Sequence, residues 1–423
     1  MPPVFRGGVG PRRCFARDPA KRTAMPAEAS ELDRLSALPD DLLQHVLGFL
    51  DTRQAVGQLS LLSRRWRHLW ASMPRVILDG SVSERFGSAL LLLREYAKLH
   101  AFSLGSSLAS QFAYQRCWLR HAVSKGIRVL HITLGSACCF HLPDCVFNCA
   151  TLEEMVLSSM VPEDIAPRSV CLPRLKKLRL DNARLLDSSV VWSLNSGCPA
   201  IEELDLDRCS LHRFWISSDT VKTLSVTACI YKEIHVSAPN VVSLRLTVAG
   251  RVQLDAMPSL SRAWVNISGD RANHLAPDEH GFLGALSSAQ HLELFRFDSL
   301  LQDMMENPAT EGPNFGKLKS LYLGEWLVAD FYQPFASFLN HAPYLASLTL
   351  DTWKVCEEIA GKVPRLVAMP KERNDKLRLA SASTGLEMLR LRISKGRDAA
   401  EFSKMRRLLK EKTKPKEMEV IWF

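Results

Sequence analysis

Two hydrophobic periods divide this chain. Between residues 42 and 50 the apolar positions Leu42, Leu43, Val46, Leu47 and Leu50 fall at i, i+1, i+4, i+5 and i+8, the spacing of one helical stripe. Pro39 suits the first turn of that helix, and Asp40 and Asp41 suit its positive end. Asp51 or Thr52 can cap a second short helix carrying Ala55, Leu59 and Leu62. Ser63 can cap a third, in which Trp66, Leu69 and Trp70 share a face. Three helices of about ten residues form a bundle with little core of its own, and isolated helices that short are marginal in water. The stripe is also wider than such a core needs, so the block predicts an apolar surface completed by a partner.

From about residue 120 the period changes. Segments of the form L-x-x-L-x-L recur as Leu152-Met155-Leu157, Leu175-Leu178-Leu180, Ile201-Leu204-Leu206, Val221-Leu224-Val226 and Val241-Leu244-Leu246. Fainter copies stand at Leu260-Ala263-Val265 and Ala289-Leu292-Leu294, and clear ones return at Leu318-Leu321-Leu323, Leu345-Leu348-Leu350 and Leu386-Leu389-Leu391. Most successive starts lie within or near 20–29 residues of each other, the period of leucine-rich repeats, with insertions in the later half. Each copy predicts a short strand whose apolar residues point inward, so that stacked copies build one core.

Residues alternating with those leucines should then face outward. They run Lys177, Arg179, Asp181; Glu203, Asp205, Asp207; Thr223, Ser225, Thr227; Ser243, Arg245, Thr247; Arg262, Trp264, Asn266; His291, Glu293, Phe295; then Tyr322, Asp351 and Trp353. The first half of this face is charged or small, and the second half adds aromatics. Arg245, Arg262, Trp264, Phe295, Tyr322 and Trp353 therefore stand as candidates for binding a target protein, since aromatic side chains beside arginine are common binding anchors. A register slip in the faint copies would instead make some of them core.

Residues 79–128 read as a helical connector capping the repeats, with helices over Phe86 to Leu99 and Tyr114 to Ser124. At the other end Ala399 to Lys412 forms a basic amphipathic pattern with Phe402, Met405, Leu408 and Leu409 as its stripe, and Met418, Val420 and Trp422 alternate as a last strand.

The run Leu38 to Trp70, LPDDLLQHVLGFLDTRQAVGQLSLLSRRWRHLW, resembles the F-box motif in its plant form: Leu-Pro, paired leucines, then Leu-Ser-x-x-Trp-x-x-Leu-Trp at Leu62, Ser63, Trp66, Leu69 and Trp70. With the repeats behind it, the chain resembles the plant F-box/leucine-rich-repeat proteins, and residues 386–422 resemble the end of the FBD module that follows such repeats. The resemblance implies an α/β fold: a small N-terminal three-helix F-box bundle, then an irregular leucine-rich-repeat solenoid with a C-terminal cap. Its divisions are a disordered basic tail at 1–30, the F-box at 31–78, the connector at 79–128, repeats at 129–393 and an FBD-like end at 394–423. The implied function is that of a substrate-recognition subunit of an SCF-type cullin-RING ubiquitin ligase. The F-box would bind a Skp-type adaptor, through it a cullin-RING scaffold, and the repeats would bind a target protein. Carried over by position, Leu38, Pro39, Leu42, Leu43, Val46, Leu47, Leu50, Leu62, Trp66, Leu69 and Trp70 would form the adaptor-binding surface and its support. Two other readings stay open. One is a scaffold or decoy that recruits no ubiquitinated target. The other is a small-molecule receptor, which would need a basic pocket inside the repeats.

Charge bears on that second reading. The formal net charge is +9 over 423 residues. Residues 1–30 hold six Lys/Arg against two acids, and residues 394–423 hold nine against five, so each end carries +4 and the body between them +1. A folded nucleic-acid surface would concentrate charge on the body. Arg64, Arg65, Arg67 and His68 lie on a helix whose apolar face is already taken by Trp66, Leu69 and Trp70, so no nucleic-acid partner is expected. Eleven cysteines at irregular spacing argue against a secreted disulfide scaffold, and the Arg-rich start has no apolar core of a secretory signal; a nuclear or cytoplasmic setting is expected. No apolar run approaches bilayer length, so no membrane partner is expected. Phosphate-loop, nucleophile-elbow and H-E-x-x-H patterns do not occur, and the expectation is a non-enzyme without cofactor. Cys138, Cys139, Cys145 and Cys149 with His141 could in principle hold zinc. Their unpaired spacing among Phe140, Leu142, Val146 and Phe147 reads as a core stretch instead.

Overall fold

The computed structural model describes residues 38–47, 50, 52–59, 70–80, 82–94, 98–106, 112–135, 141–165, 167–185, 194–267, 279–297, 313–324, 341–352, 386–393, 406–407, 410 and 414–422. Two short helices, α1 (Asp40–Leu47) and α2 (Thr52–Leu59), open it. The third helix expected from Ser63 lies outside the described residues, as does most of Ala399 to Lys412. Trp70 begins a 3-10 turn, Trp70–Ser72.

The other described elements are mostly strands: β1 (Arg75–Leu78), β2 (Ala101–Ser106), β3 (Val129–Leu134), β4 (Glu154–Asp164), β5 (Lys177–Leu185), β6 (Glu203–Asp207), β7 (Ser210–Ser217), β8 (Thr223–Thr227) and β9 (Ile230–Ser237). Then come β10 (Ser243–Val248), β11 (Arg251–Leu254), β12 (Arg262–Ile267), β13 (His291–Phe295), β14 (Ser320–Gly324), β15 (Ser347–Thr352), β16 (Met388–Ile393) and β17 (Glu417–Trp422). Pairing is parallel throughout. A main row runs β1-β2-β3-β4-β5-β6-β8-β10-β12-β13-β14-β15-β16-β17. A side row runs from the end of β5 through β7 and β9 to β11.

The leucine positions explain the register. Leu178, Leu180, Leu204, Leu206, Leu224, Val226, Leu244, Leu246, Ala263, Val265, Leu292, Leu294, Leu321, Leu323, Leu348, Leu350, Leu389 and Leu391 are all buried. Because a strand alternates with period two, a slip of one residue would expose that whole set, so burial fixes the pairing. One apolar cluster extends from Val76 to Leu391. The last strand, expected from Met418, Val420 and Trp422, is present as β17 against β16.

The connector expectation needs correction. The sheet does not begin near residue 129 but at Arg75, inside the span assigned to the F-box, and β2 interrupts residues 79–128. The two helices there, α3 (Glu84–Leu93) and α4 (Phe112–Ser124), are crossovers between β1, β2 and β3. They lean on each other through Trp118, whose indole donates to Ser88 Oγ at 3.1 Å. Both strands carry the repeat pattern, as Met73-Val76-Leu78 and Leu99-Phe102-Leu104, and all six side chains are buried. The signal was therefore present, and the helical periods of α3 and α4 on either side of β2 masked it.

The side row was also not expected. Between rows the chain turns at Asn182, Arg208 and Ala228, all with positive φ (57°, 52° and 51°), each one residue past the aligned set Asp181, Asp207 and Thr227. A further helix, α5 (Glu279–Leu286), buries Phe282, Leu283 and Leu286 ahead of β13.

Candidate partner-binding surfaces

The helical head has its own small core. Leu43, Ala55 and Met73 are buried together, with Leu38, Leu50 and Trp70 packed against them. Leu43, read from the stripe as part of the adaptor-facing surface, is thus an interior residue; the stripe is wide enough to serve core and surface at once. Leu42 and Val46, on the same helix, are 51% and 44% exposed. Pro39 is exposed, and Leu38, Leu50 and Trp70 are half-buried. Leu62, Trp66 and Leu69, and the side chain of Leu47, lie outside the described residues.

The head is tied to the sheet at two points. Thr52, buried at the start of α2, accepts a hydrogen bond from the Ile77 amide of β1 at 2.7 Å. Arg94, buried just after α3, donates to the Trp70 carbonyl at 2.6 Å and to the Met73 carbonyl. Burial pulls this guanidinium pKa down to about 10, still well above neutrality.

The outward face of the main row is the second surface, and its residues align strand by strand. Near β5 the charges neutralise one another: Lys177 meets Glu203 at 2.9 Å, Arg179 meets Asp205 at 3.5 Å and Arg208 meets Asp181 at 2.6 Å. Each Lys177 and Arg208 cation is held above its ordinary pKa, chiefly by its hydrogen bond to the facing carboxylate. Exposed pairs of this kind contribute little stability, about 0–1 kcal/mol each. Their effect is to leave this part of the face electrically quiet.

Further along, Arg245, Trp264, Glu293, Tyr322 and Thr349 occupy one aligned row across β10, β12, β13, β14 and β15. The Arg245 guanidinium lies 5.3 Å from the Trp264 ring centre. Trp264 is 5.4 Å from Phe295, and Phe295 is 5.3 Å from Tyr322, both pairs tilted. The Tyr322 hydroxyl donates to Asp351 at 2.6 Å, and Arg392 meets the same carboxylate at 2.9 Å. Burial, then the bond to Asp351, raises the Tyr322 phenol pKa. Four of the six expected target-binding residues are therefore in one contact chain, and Arg262 is exposed beside it. Trp353 lies outside the described residues.

Arg392 and Gly324 extend this chain and had not been singled out. The alternation Leu389-x-Leu391 places Arg392 outward, so that signal was available; Gly324 carries none.

Cys149, Cys198, Cys209 and Cys229 are buried free thiols. Cys209 and Cys229 each donate to the carbonyl of a preceding strand, Leu180 and Leu206, at 3.4 Å. Burial pushes the Cys198 thiol up to about 12. These are packing residues. Cys138 and Cys139 lie outside the described residues, among which no three His, Cys, Asp or Glu side chains converge as metal ligands. Among the same residues, no helix is long and apolar enough to cross a membrane.

A stack of leucine-rich parallel strands bearing a small helical head with bare apolar residues defines a class: a leucine-rich-repeat protein with a helical N-terminal head. Residues 35–78 match the F-box domain model, and residues 115–263 match the repeats of the FBD-associated F-box protein At5g56370. Relatives include the F-box/LRR-repeat protein At4g14103 of Arabidopsis thaliana, 30% identical over 56% of this chain and 68% of its own length. The F-box/FBD/LRR-repeat protein At5g56420 of the same plant is 33% identical over 46% of this chain and 47% of its own. The MEIOTIC F-BOX protein MOF of Oryza sativa subsp. japonica is 29% identical over 86% of this chain and 81% of its own. The chain belongs to the plant F-box/FBD/LRR-repeat family.

Proposed function

We propose that this protein is a substrate-recognition subunit of an SCF-type ubiquitin ligase. Its F-box head binds a Skp-type adaptor through Leu42 and Val46, and through that adaptor reaches a cullin-RING scaffold. The strands coil as a leucine-rich solenoid whose outward face, around Arg245, Trp264, Phe295 and Tyr322, holds a target protein. The chain supplies effective concentration and orientation rather than bond chemistry. Buried free thiols suit the reducing nucleus or cytoplasm, where we place it.

The observation that carries the reading is the pair Leu42 and Val46, exposed on α1 of a matched F-box while Leu43 beside them fills the head's core. Co-purification of the full chain with a plant Skp-type adaptor tests it, with Leu42→Ala/Val46→Ala as the comparison. Recovery of adaptor by wild type and its loss in a folded variant is the expected result. A folded wild type that retains no adaptor would remove the ligase assignment.

A further inference from the structure

We propose that the face centred on Arg245 and Trp264 takes an extended target segment bearing an acidic side chain and, three or four residues away, a bulky apolar one. This deepens the receptor reading above by giving the chemistry of the segment.

The argument starts from unpaired charge. On either side of this region the arginines of the face have carboxylate partners: Arg179 with Asp205, Arg208 with Asp181, Arg392 with Asp351 and Arg390 with Glu419. Arg245 and Arg262 form no ion pair among the described residues, and both are exposed. They are diagonal neighbours, because Ser243 aligns with Arg262 and Arg245 with Trp264. With parallel strands about 4.8 Å apart and outward residues about 6.6 Å apart along each, diagonal positions sit about 8 Å apart, within reach of one oxyanion bridged by two guanidinium forks. The stacking of Arg245 on Trp264 holds one fork in place beforehand, which lowers the ordering cost of binding.

The apolar partner site is the half-buried surface of Trp264, Phe295 and Tyr322, three rings in contact. Rings of this kind give large contact area for little lost conformational freedom. Glu293 fixes the direction. It is exposed, forms no ion pair among the described residues and is aligned between Trp264 and Tyr322, so it repels a second carboxylate at the aromatic end. Glu293 is also diagonal to Arg262, as Arg245 is on the other side, so the acid is confined to the Arg245 end of the arginine pair. Strands lie about 4.8 Å apart, so the two or three strand steps from β10 to β13 and β14 span about 10–14 Å. An extended chain covers that distance in three or four residues at about 3.3 Å each.

The test is selection of a phage-displayed random dodecapeptide library on the full chain, in parallel with Arg245→Ala/Arg262→Ala, each verified as folded by circular dichroism. Enriched peptides are synthesised and measured by fluorescence anisotropy. The expected consensus is Asp or Glu three or four positions from an aromatic or long aliphatic residue, with affinity falling about tenfold or more in the double variant. Glu293→Gln should relax the direction, admitting an acid beside the apolar anchor. A basic or purely apolar consensus, no enrichment, or affinity unchanged in Arg245→Ala/Arg262→Ala overturns the proposal. Replacing the acid by phosphoserine, and by serine, separates the sources. Tighter binding of phosphoserine identifies a phosphorylated segment, equal binding a constitutively acidic one, and undiminished binding of serine also overturns the proposal. The readout needs no adaptor. A failed adaptor co-purification therefore sinks the ligase reading alone, and a failed selection sinks this one alone.

Discussion

The Thr52 hydroxyl accepts the amide of Ile77 at 2.7 Å, joining the second helix of the head to the edge strand of the sheet. Ile77 lies on β1, the first strand of the row, whose outer edge pairs with no strand among the described residues. An edge amide needs an acceptor, and here the head provides it. Arg94 reinforces the joint by donating to the carbonyls of Trp70 and Met73. Thr52→Val should cost about 1 kcal/mol by removing the acceptor of a half-buried amide, while Thr52→Ser keeps the acceptor and costs less. Arg94→Met should cost about 2–3 kcal/mol, since two carbonyls lose a charged donor. Combined, the two changes should fall short of additivity because both loosen one joint. Urea denaturation of the four proteins measures this, and strict additivity would mean that the two bonds act separately.

Phe295 and Gly324 make a second such relationship. A Cβ built on Gly324 would stand 2.6 Å from Phe295 Cδ1 and 2.9 Å from Tyr322 Cε1. Gly324 is aligned with Phe295 across β13 and β14, so the missing side chain is what lets the ring lie over the next strand. Gly324→Ala should destabilise by about 1–3 kcal/mol, the range for overpacking. In a Phe295→Ala background the same change should cost less, because only the Tyr322 Cε1 contact at 2.9 Å remains and that ring can shift into the vacated space. A double-mutant cycle by denaturation decides, and a Gly324→Ala cost that persists without the ring would place the strain elsewhere.

These contacts divide into what the sequence could and could not reveal. The outward rank of Arg245, Trp264, Phe295 and Tyr322 was legible because each strand is anchored by two inward apolar residues, and period two then dictates the rest. The side row was not, because alternation breaks within β7, where His212 and Arg213 are both exposed before Phe214 turns in. Nor was Leu43 legible as core. A stripe that includes Leu42, Leu43 and Val46 has no local mark saying which edge faces Ala55 and Met73; only tertiary contact decides it.

The corners between rows were equally silent, and one of them invites repair. Ala228 holds φ 51° with an exposed side chain, a conformation that strains any residue with a Cβ. Ala228→Gly removes that strain and loses no packing, so a gain of about 0.5–1 kcal/mol is expected after the added freedom of the unfolded chain. Asn182, at the equivalent corner, tolerates the same region and donates its amide to the Ser159 carbonyl at 3.0 Å. Asn182→Ala should therefore cost about 1 kcal/mol. Thermal melts of both variants read the two signs, and a destabilised Ala228→Gly would show that the corner is not strained.

The head offers the sharpest separation of stability from binding, because adjacent leucines face opposite ways. Leu43 is wholly buried against Ala55 and Met73, so Leu43→Ala should cost about 2–5 kcal/mol, the range for an emptied core site. Leu42 and Val46 are about half exposed, and truncating both should change stability by only about 0.5 kcal/mol. Adaptor recovery should fall in both cases but for different reasons. In Leu43→Ala it should track the fraction of head unfolded, visible as faster hydrogen exchange across α2, and return at lower temperature. In Leu42→Ala/Val46→Ala exchange across α2 should match wild type while adaptor recovery stays low at every temperature. If the Leu42→Ala/Val46→Ala head exchanged as fast as Leu43→Ala, those side chains would be structural, and the adaptor-facing surface would have to be sought on another side of α1.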